Sequence, residues 1–292
     1  MKKEKEIVKK RTLFLEPFYD WEEEGVFNPT AIYIKDSIYL IYRGIKCENY
    51  SRLGCAEVKK DYIERKEKPL LTSTEEYEKQ GIEDPRITFL ENKYYILYTA
   101  FDGKCARVAV AESENFTEFR KLGIISPNLT FLEAIRTTNS KRYKRLWTQQ
   151  LLNLKENITI WDKDACLFPK KINGYYAMLH RLEPDIQIVY FENFFQLKDK
   201  EFWEDYFMDI EKNIVMKPKL WWEKRKIGAG TVPIETEEGW LLLYHGVDKN
   251  NIYRAGAALL DLEKPEKEIA RLSLPLFSPQ YHWEKTGNAV SY

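Results

Sequence analysis

Residues 86–101 read RITFLENKYYILYTAF, two runs of β-favouring residues joined by the polar tip ENK, and a third such run, ARVAVAES, follows at 106–113. Tyr, Phe, Ile and Thr suit a pleated strand, and a short polar tip between two such runs is the pattern of a β-hairpin. With the third run it becomes a meander. The arrangement recurs as AIYIKDSIYLIYRGI (31–45) with SRLGCAEV (51–58), as ACLFPKKINGYYAMLHR (165–181) with DIQIVYFEN (185–193), and as TVPIETEEGWLLLYHGV (231–247) with YRAGAALLDL (253–262). A loose repeat of roughly 55 to 80 residues is what β-propeller blades with variable loops give. Four visible blades plus a segment from each terminus predict an all-β, five-bladed β-propeller, a single domain over residues 1–292 with residues 1–26 packing on it. A β-sandwich with coincidental hairpins is the alternative. Two stretches fall outside the pattern: KRYKRLWTQQLLNLKEN (141–157) and FFQLKDKEFWEDYFMDIEKN (194–213) read as solvated excursions between blades, the first as a candidate helix.

The 46 basic residues balance 46 acidic ones, so no net field draws in nucleic acid or an acidic membrane. Nineteen Tyr and eight Trp are a heavy aromatic load. Aromatic faces stack on pyranose rings, although most of these rings suit strand packing equally well. Cys47, Cys55, Cys105 and Cys166 form no CxxC pair and no regular framework, as reduced thiols in a cytosolic protein would not, and no metal site is signalled. The start has no apolar leader, and nowhere do about 18 apolar residues run together, so a cytoplasmic protein is expected.

Polar residues recur where blades begin. Asn28 lies in FNPT, Asp84 in GIEDPRI, Lys163 and Asp164 in WDKDACLFP, and Gly228 to Gly230 in KIGAG. Pro85 pushes Asp84 towards extended backbone, and two residues on, Arg86 shares its side of a strand. A second set is cationic: Arg43, Arg107, His180, Arg181 and His245, joined by Lys163. Each alone reads as a salt-bridge partner. Their recurrence at equivalent blade positions favours an anionic substrate group such as phosphate. No P-loop, G-x-S-x-G, HExxH or dinucleotide fingerprint occurs.

The ordered runs GIEDPRITFLENKYYILYTAF, KDACLFPKKINGYYAMLHR and KIGAGTVPIETEEGWLLLYHGVDKNNIYRAGAALLDLEKP resemble glycoside hydrolase family 130, the β-mannoside phosphorylases and related mannosidases, over Phe27 to Gly287. The resemblance implies cleavage of a β-mannosidic bond by inorganic phosphate, with inversion, to give α-mannose 1-phosphate. It places the general acid at Asp84, phosphate contacts at Arg107, Lys163, His180 and Arg181, and substrate contacts at Asn28, Arg43, Arg86, His245 and Asp248. No cofactor is implied beyond phosphate as co-substrate; the partners are a small carbohydrate and phosphate, with a homo-oligomer left open. A single acid surrounded by cations suits phosphorolysis, because phosphate is already an anionic nucleophile, whereas an inverting glycosidase needs a second carboxylate to activate water. Glu112, Glu183 and Glu235 keep the alternative of a β-mannosidase open, and a sugar-binding propeller without activity is a further one.

Overall fold

The computed structural model describes residues 13–47 and 50–285. Its strands form antiparallel meanders in chain order. The first is β1 (Gly25–Ile34), β2 (Ser37–Lys46), β3 (Tyr50–Val58) and β4 (Ile63–Arg65), and the second is β5 (Gly81–Leu90), β6 (Lys93–Phe101), β7 (Ala106–Ser113) and β8 (Arg120–Ile124). A single parallel bridge, Ser51 to Gly81, links these two. The third is β9 (Lys163–Leu167), β10 (Tyr176–Arg181), β11 (Ile186–Phe191) and β12 (Ile214–Met216). In the fourth, β13 (Lys226–Ala229) and β14 (Ile234–Thr236) lie end to end on β15 (Gly239–Val247), followed by β16 (Tyr253–Leu260) and β17 (Glu268–Arg271). Pro233 and Gly230 fall in the gap between β13 and β14, where a ladder would need a donor and a packed side chain. Four meanders are therefore present among the described residues. The fifth blade expected from the termini draws on residues 1–12 and 286–292, which lie outside them.

The strands that open each meander stand side by side: β1 touches β5, β5 touches β9, and β9 touches β13. This arc of inner strands positions the site. What seats them is a device repeated at three blade heads. At Trp21-Glu22, Tyr77-Glu78 and Trp222-Glu223, a short 3-10 turn precedes the inner strand. The fully buried Glu22 accepts from Tyr42 Oη and from the backbone N–H groups of Phe18 and Tyr19, and pairs with Arg65. Glu223 repeats this with Tyr244, Lys219, Leu220 and Arg271, and Glu78 with Tyr98, Thr74, Glu75 and Lys121. Buried carboxylates need this many partners because an unpaired one costs several kcal/mol, about 3–5 when a partner is removed. The Trp222 ring lies where Gly246 and Gly256 leave room: a Cβ at Gly256 would fall 2.4 Å from its indole. Glu284 accepts from the N–H groups of Gln280 and Tyr281 in the same way, immediately ahead of residues 286–292.

The excursions between blades are not solvated. Helix α1 (Phe131–Thr137) and helix α2 (Lys141–Leu154) precede β9, and helix α3 (Lys200–Met208) precedes β12. Tyr143 and Trp147 of α2 and Trp203 and Phe207 of α3 are fully buried in one cluster with Leu97, Val110, Leu167 and Met178 of the second and third meanders. Trp147 packs against Phe207 at 5.2 Å between ring centroids. The charge of these segments lies on their outer faces, and their aromatic residues, spaced for a helix stripe, fill the seam between two sheets.

Candidate active site

Three of the four inner strands carry the same irregularity. Pairing slips between Phe27 and Thr30 in β1, between Glu83 and Arg86 in β5, and opposite Leu179 to Arg181 in β9. At each slip one residue adopts a left-handed backbone: Asn28 (φ 49°), Asp84 (φ 50°), in place of the extended backbone expected ahead of Pro85, and Asp164 (φ 56°). Asn and Asp tolerate this conformation better than other side-chain-bearing residues, and a bulge breaks strand alternation so that a side chain is re-aimed. The bulges bring the side chains of neighbouring strands together. Asn28 Nδ2 donates to Asp84 Oδ1 at 2.6 Å.

Around Asp84, Arg43 Nη1 stands 3.5 Å from its carboxylate, while Arg43 Nη2 donates to Glu83 at 2.8 Å and Lys163 reaches the other oxygen of Glu83 at 3.1 Å. Burial on its own pushes the Asp84 carboxyl up, but Arg43, then Lys163, Arg86 and the Asn28 hydrogen bond outweigh it and hold it below the usual carboxylate range. The Asp84 side chain keeps 11% exposure, so a substrate can reach it.

A second cluster adjoins the first. Arg181 Nη1 contacts Asp164 Oδ2 and lies 3.1 Å from His245 Nε2, and Arg181 Nη2 is 3.6 Å from Glu183. Lys226 donates to Glu183 at 2.5 Å. Burial, with Arg181 and Lys226 beside it, lowers His245 to about 4 against the pull of Asp164, so the ring is neutral at pH 7. Burial and Arg181 likewise lower Lys226 to about 8 despite Glu183. The Nε donors of Arg86 and Arg181 are buried without a hydrogen-bond partner among the described residues, as are those of Arg107, Arg254 and Arg271.

Of the residues singled out in the sequence, Asn28, Arg43, Arg86, Lys163, Arg181 and His245 thus gather with Asp84. Three others do not. His180 is fully buried, its Nδ1 3.0 Å from Asp162 and its Nε2 2.8 Å from Tyr206 Oη, so both ring nitrogens are engaged and neither is offered to phosphate. The physical reason is strand alternation: neighbours His180 and Arg181 face opposite sides of β10, and only Arg181 faces the cluster. The histidine that stands beside Arg181 and Asp164 is His245. Arg107 pairs with Asp102 at 3.1 Å within its own blade and, among the described residues, makes no ion pair with the Asp84 group. Asp248 accepts from the backbone of Asn250 and Ile252 and pairs with Arg254 at 2.8 Å, which shapes the loop after β15. Among the glutamates weighed as a base, Glu112 is held by Lys93 and Arg120, and Glu235 by Lys170; Glu183 alone borders the site. Lys226 was missed. Its signal is positional, since it stands three residues after Glu223 as Gly25 and Gly81 stand after Glu22 and Glu78.

Antiparallel meanders whose opening strands bring carboxylic acids together with guanidinium and ammonium groups have the build of a carbohydrate-active enzyme. The chain belongs to glycoside hydrolase family 130: the family model described as beta-1,4-mannooligosaccharide phosphorylase matches residues 3–291. It is 37% identical over 282 residues to a 1,2-beta-oligomannan phosphorylase of Thermoanaerobacter sp. (strain X514), covering 92% of this chain and 80% of that protein. It is 36% identical over 288 residues to a beta-1,2-mannobiose phosphorylase of the same organism, with the same coverage. A beta-1,2-mannobiose phosphorylase of Listeria innocua, solved with beta-1,2-mannobiose, shares its fold at a TM-score of 0.66 and 23% identity, over 90% of this chain and 79% of that one.

Proposed function

We propose that this enzyme cleaves β-mannosidic bonds of short oligosaccharides with inorganic phosphate, on a five-bladed propeller whose ring the termini complete. The observation that carries the reading is a carboxylic acid with an exposed edge, Asp84, set among the cations Arg43, Lys163 and Arg86. A phosphate oxygen attacks the anomeric carbon as the C1–O bond to the leaving sugar breaks. Asp84 supplies the proton to the leaving oxygen, directly or through a mannosyl hydroxyl, and α-mannose 1-phosphate forms with inversion. The cations hold the nucleophile and offset its charge, which is where an electrostatic site contributes most. Arg43 and Asn28 orient Asp84 and face the mannosyl unit.

Hydrolysis by the same site needs a free carboxylate base. Glu183 is the one glutamate weighed for that role that borders the cluster, and Lys226 and Arg181 already bind it. Both Thermoanaerobacter relatives are named for β-1,2 linkages, so β-1,2-mannobiose and its longer homologues are the first substrates to test. Incubation of a β-mannoside panel with and without phosphate should yield mannose 1-phosphate only when phosphate is present. Free mannose in both arms would replace this reading with hydrolysis.

A further inference from the structure

Asp164 belongs to neither the acid nor the group of phosphate-holding cations, yet it is almost wholly enclosed between them. Lys163 and Asp164 are neighbours and in a regular strand would face opposite sides. The left-handed backbone at Asp164 sends both into the site, Lys163 to Glu83 and Asp164 to Arg181 and His245. Its side chain is 6% exposed. Space for it exists only because the facing residue of β13 is Gly228. A Cβ there would stand 2.1 Å from Asp164 Oδ2 and 2.7 Å from both Arg181 Nη1 and His245 Cε1.

The three groups meet as charges: Asp164 Oδ2 stands against Arg181 Nη1 and 3.6 Å from His245 Nε2, without an aligned hydrogen bond to either. Arg181 only donates, so the His245 Nε2 that meets it at 3.1 Å accepts, and the ring proton is assigned to Nδ1. Arg181 would otherwise be repelled by Lys226 and Arg86, and one Nη1 contact to a neutral ring is too weak to fix a guanidinium among cations. With Nη1 held by Asp164 and Nη2 facing Glu183 at 3.6 Å, the Nε edge is the part left without a partner.

We infer that Asp164 is a positioning residue: together with Gly228 it locks Arg181 and His245 into the arrangement that receives the nucleophilic phosphate. The inference rests on the phosphorolytic reading above, and its test separates the two. Charge counting and positioning predict opposite signs. Asp164→Asn removes a negative charge beside the anion, so charge alone would tighten phosphate binding, whereas loss of positioning weakens it. Asn accepts the same left-handed backbone, which keeps the bulge.

Phosphorolysis by Asp164→Asn should show a KM for phosphate raised about tenfold to a hundredfold, the usual cost of a misplaced binding group, with the KM for mannoside within about twofold of wild type. Gly228→Ala, which drives a methyl into the same three groups, should give the same split and covers the case in which Asp164→Asn does not fold. A phosphate KM that is unchanged or lowered, or the two KM values rising in parallel, overturns the inference. Failure of the wild-type enzyme to form mannose 1-phosphate would instead remove the phosphorolytic reading beneath it.

Discussion

A general acid must carry a proton before it can donate one, and Arg43, Lys163 and Arg86 hold the Asp84 carboxyl below the usual carboxylate range. The surroundings suggest how the proton arrives. Arg43, Arg86, Lys163, Arg181 and Lys226 give five positive charges against four from Glu83, Asp84, Asp164 and Glu183, with His245 neutral. Phosphate therefore enters a site with one positive charge in excess and leaves it neutral to one charge negative. One phosphate charge about 6 Å from Asp84, at an effective dielectric of about 20, contributes about 2.8 kcal/mol, or about two pH units. Since phosphate carries between one and two charges near neutrality, Asp84 should rise by about two to four units, out of its depressed range and towards weakly acidic pH.

Phosphate binding is then coupled to proton uptake by Asp84. Titration calorimetry between about pH 4 and pH 6 in two buffers of different ionisation enthalpy measures it. Wild type should take up more protons per phosphate bound than Asp84→Asn, and the difference cancels the proton equilibria of phosphate itself. Equal uptake in the two proteins would refute the coupling and require another source for the catalytic proton. The same linkage has a kinetic face: the basic limb of the pH profile should move to higher pH as phosphate approaches saturation, because the bound anion raises the pKa of the group that must be protonated.

Glu223→Gln should destabilise the protein by about 1–3 kcal/mol, since it takes a buried carboxylate from the N–H groups of Lys219 and Leu220 and leaves Arg271 with Glu268 alone, and a fall of melting temperature below about 2 °C in calorimetry would contradict its role ahead of the opening strand. His180→Gln should lower stability by about 1–3 kcal/mol by disturbing Asp162 and Tyr206, yet raise the phosphate KM less than Asp164→Asn does; the opposite order would return His180 to the phosphate site.

The repeating meanders were legible because hairpins are local: two β-favouring runs and a polar tip specify each other within about 15 residues. Asp84, Arg86 and Lys163 were legible because they sit at blade heads, and the order of the blades brings blade heads together. The tryptophan or tyrosine followed by glutamate at 21–22, 77–78 and 222–223 was also written in the chain ahead of three opening strands, but Trp203-Glu204 carries the same pair inside α3.

Other features had no local signature. A bulge reverses which side a residue faces, so Asp164 joining Lys163 in one cluster depends on a slip in pairing that only the partner strand fixes. The burial of Trp147 and Trp203 needed the two sheets between which α2 and α3 are wedged. The sequence determined which groups were available to the chemistry, because residue type and blade position are local. The tertiary structure decided which of them meet, because charge pairing and strand register are set across the chain, by Gly228 making room for Asp164 and by His245, 81 residues further on, meeting it.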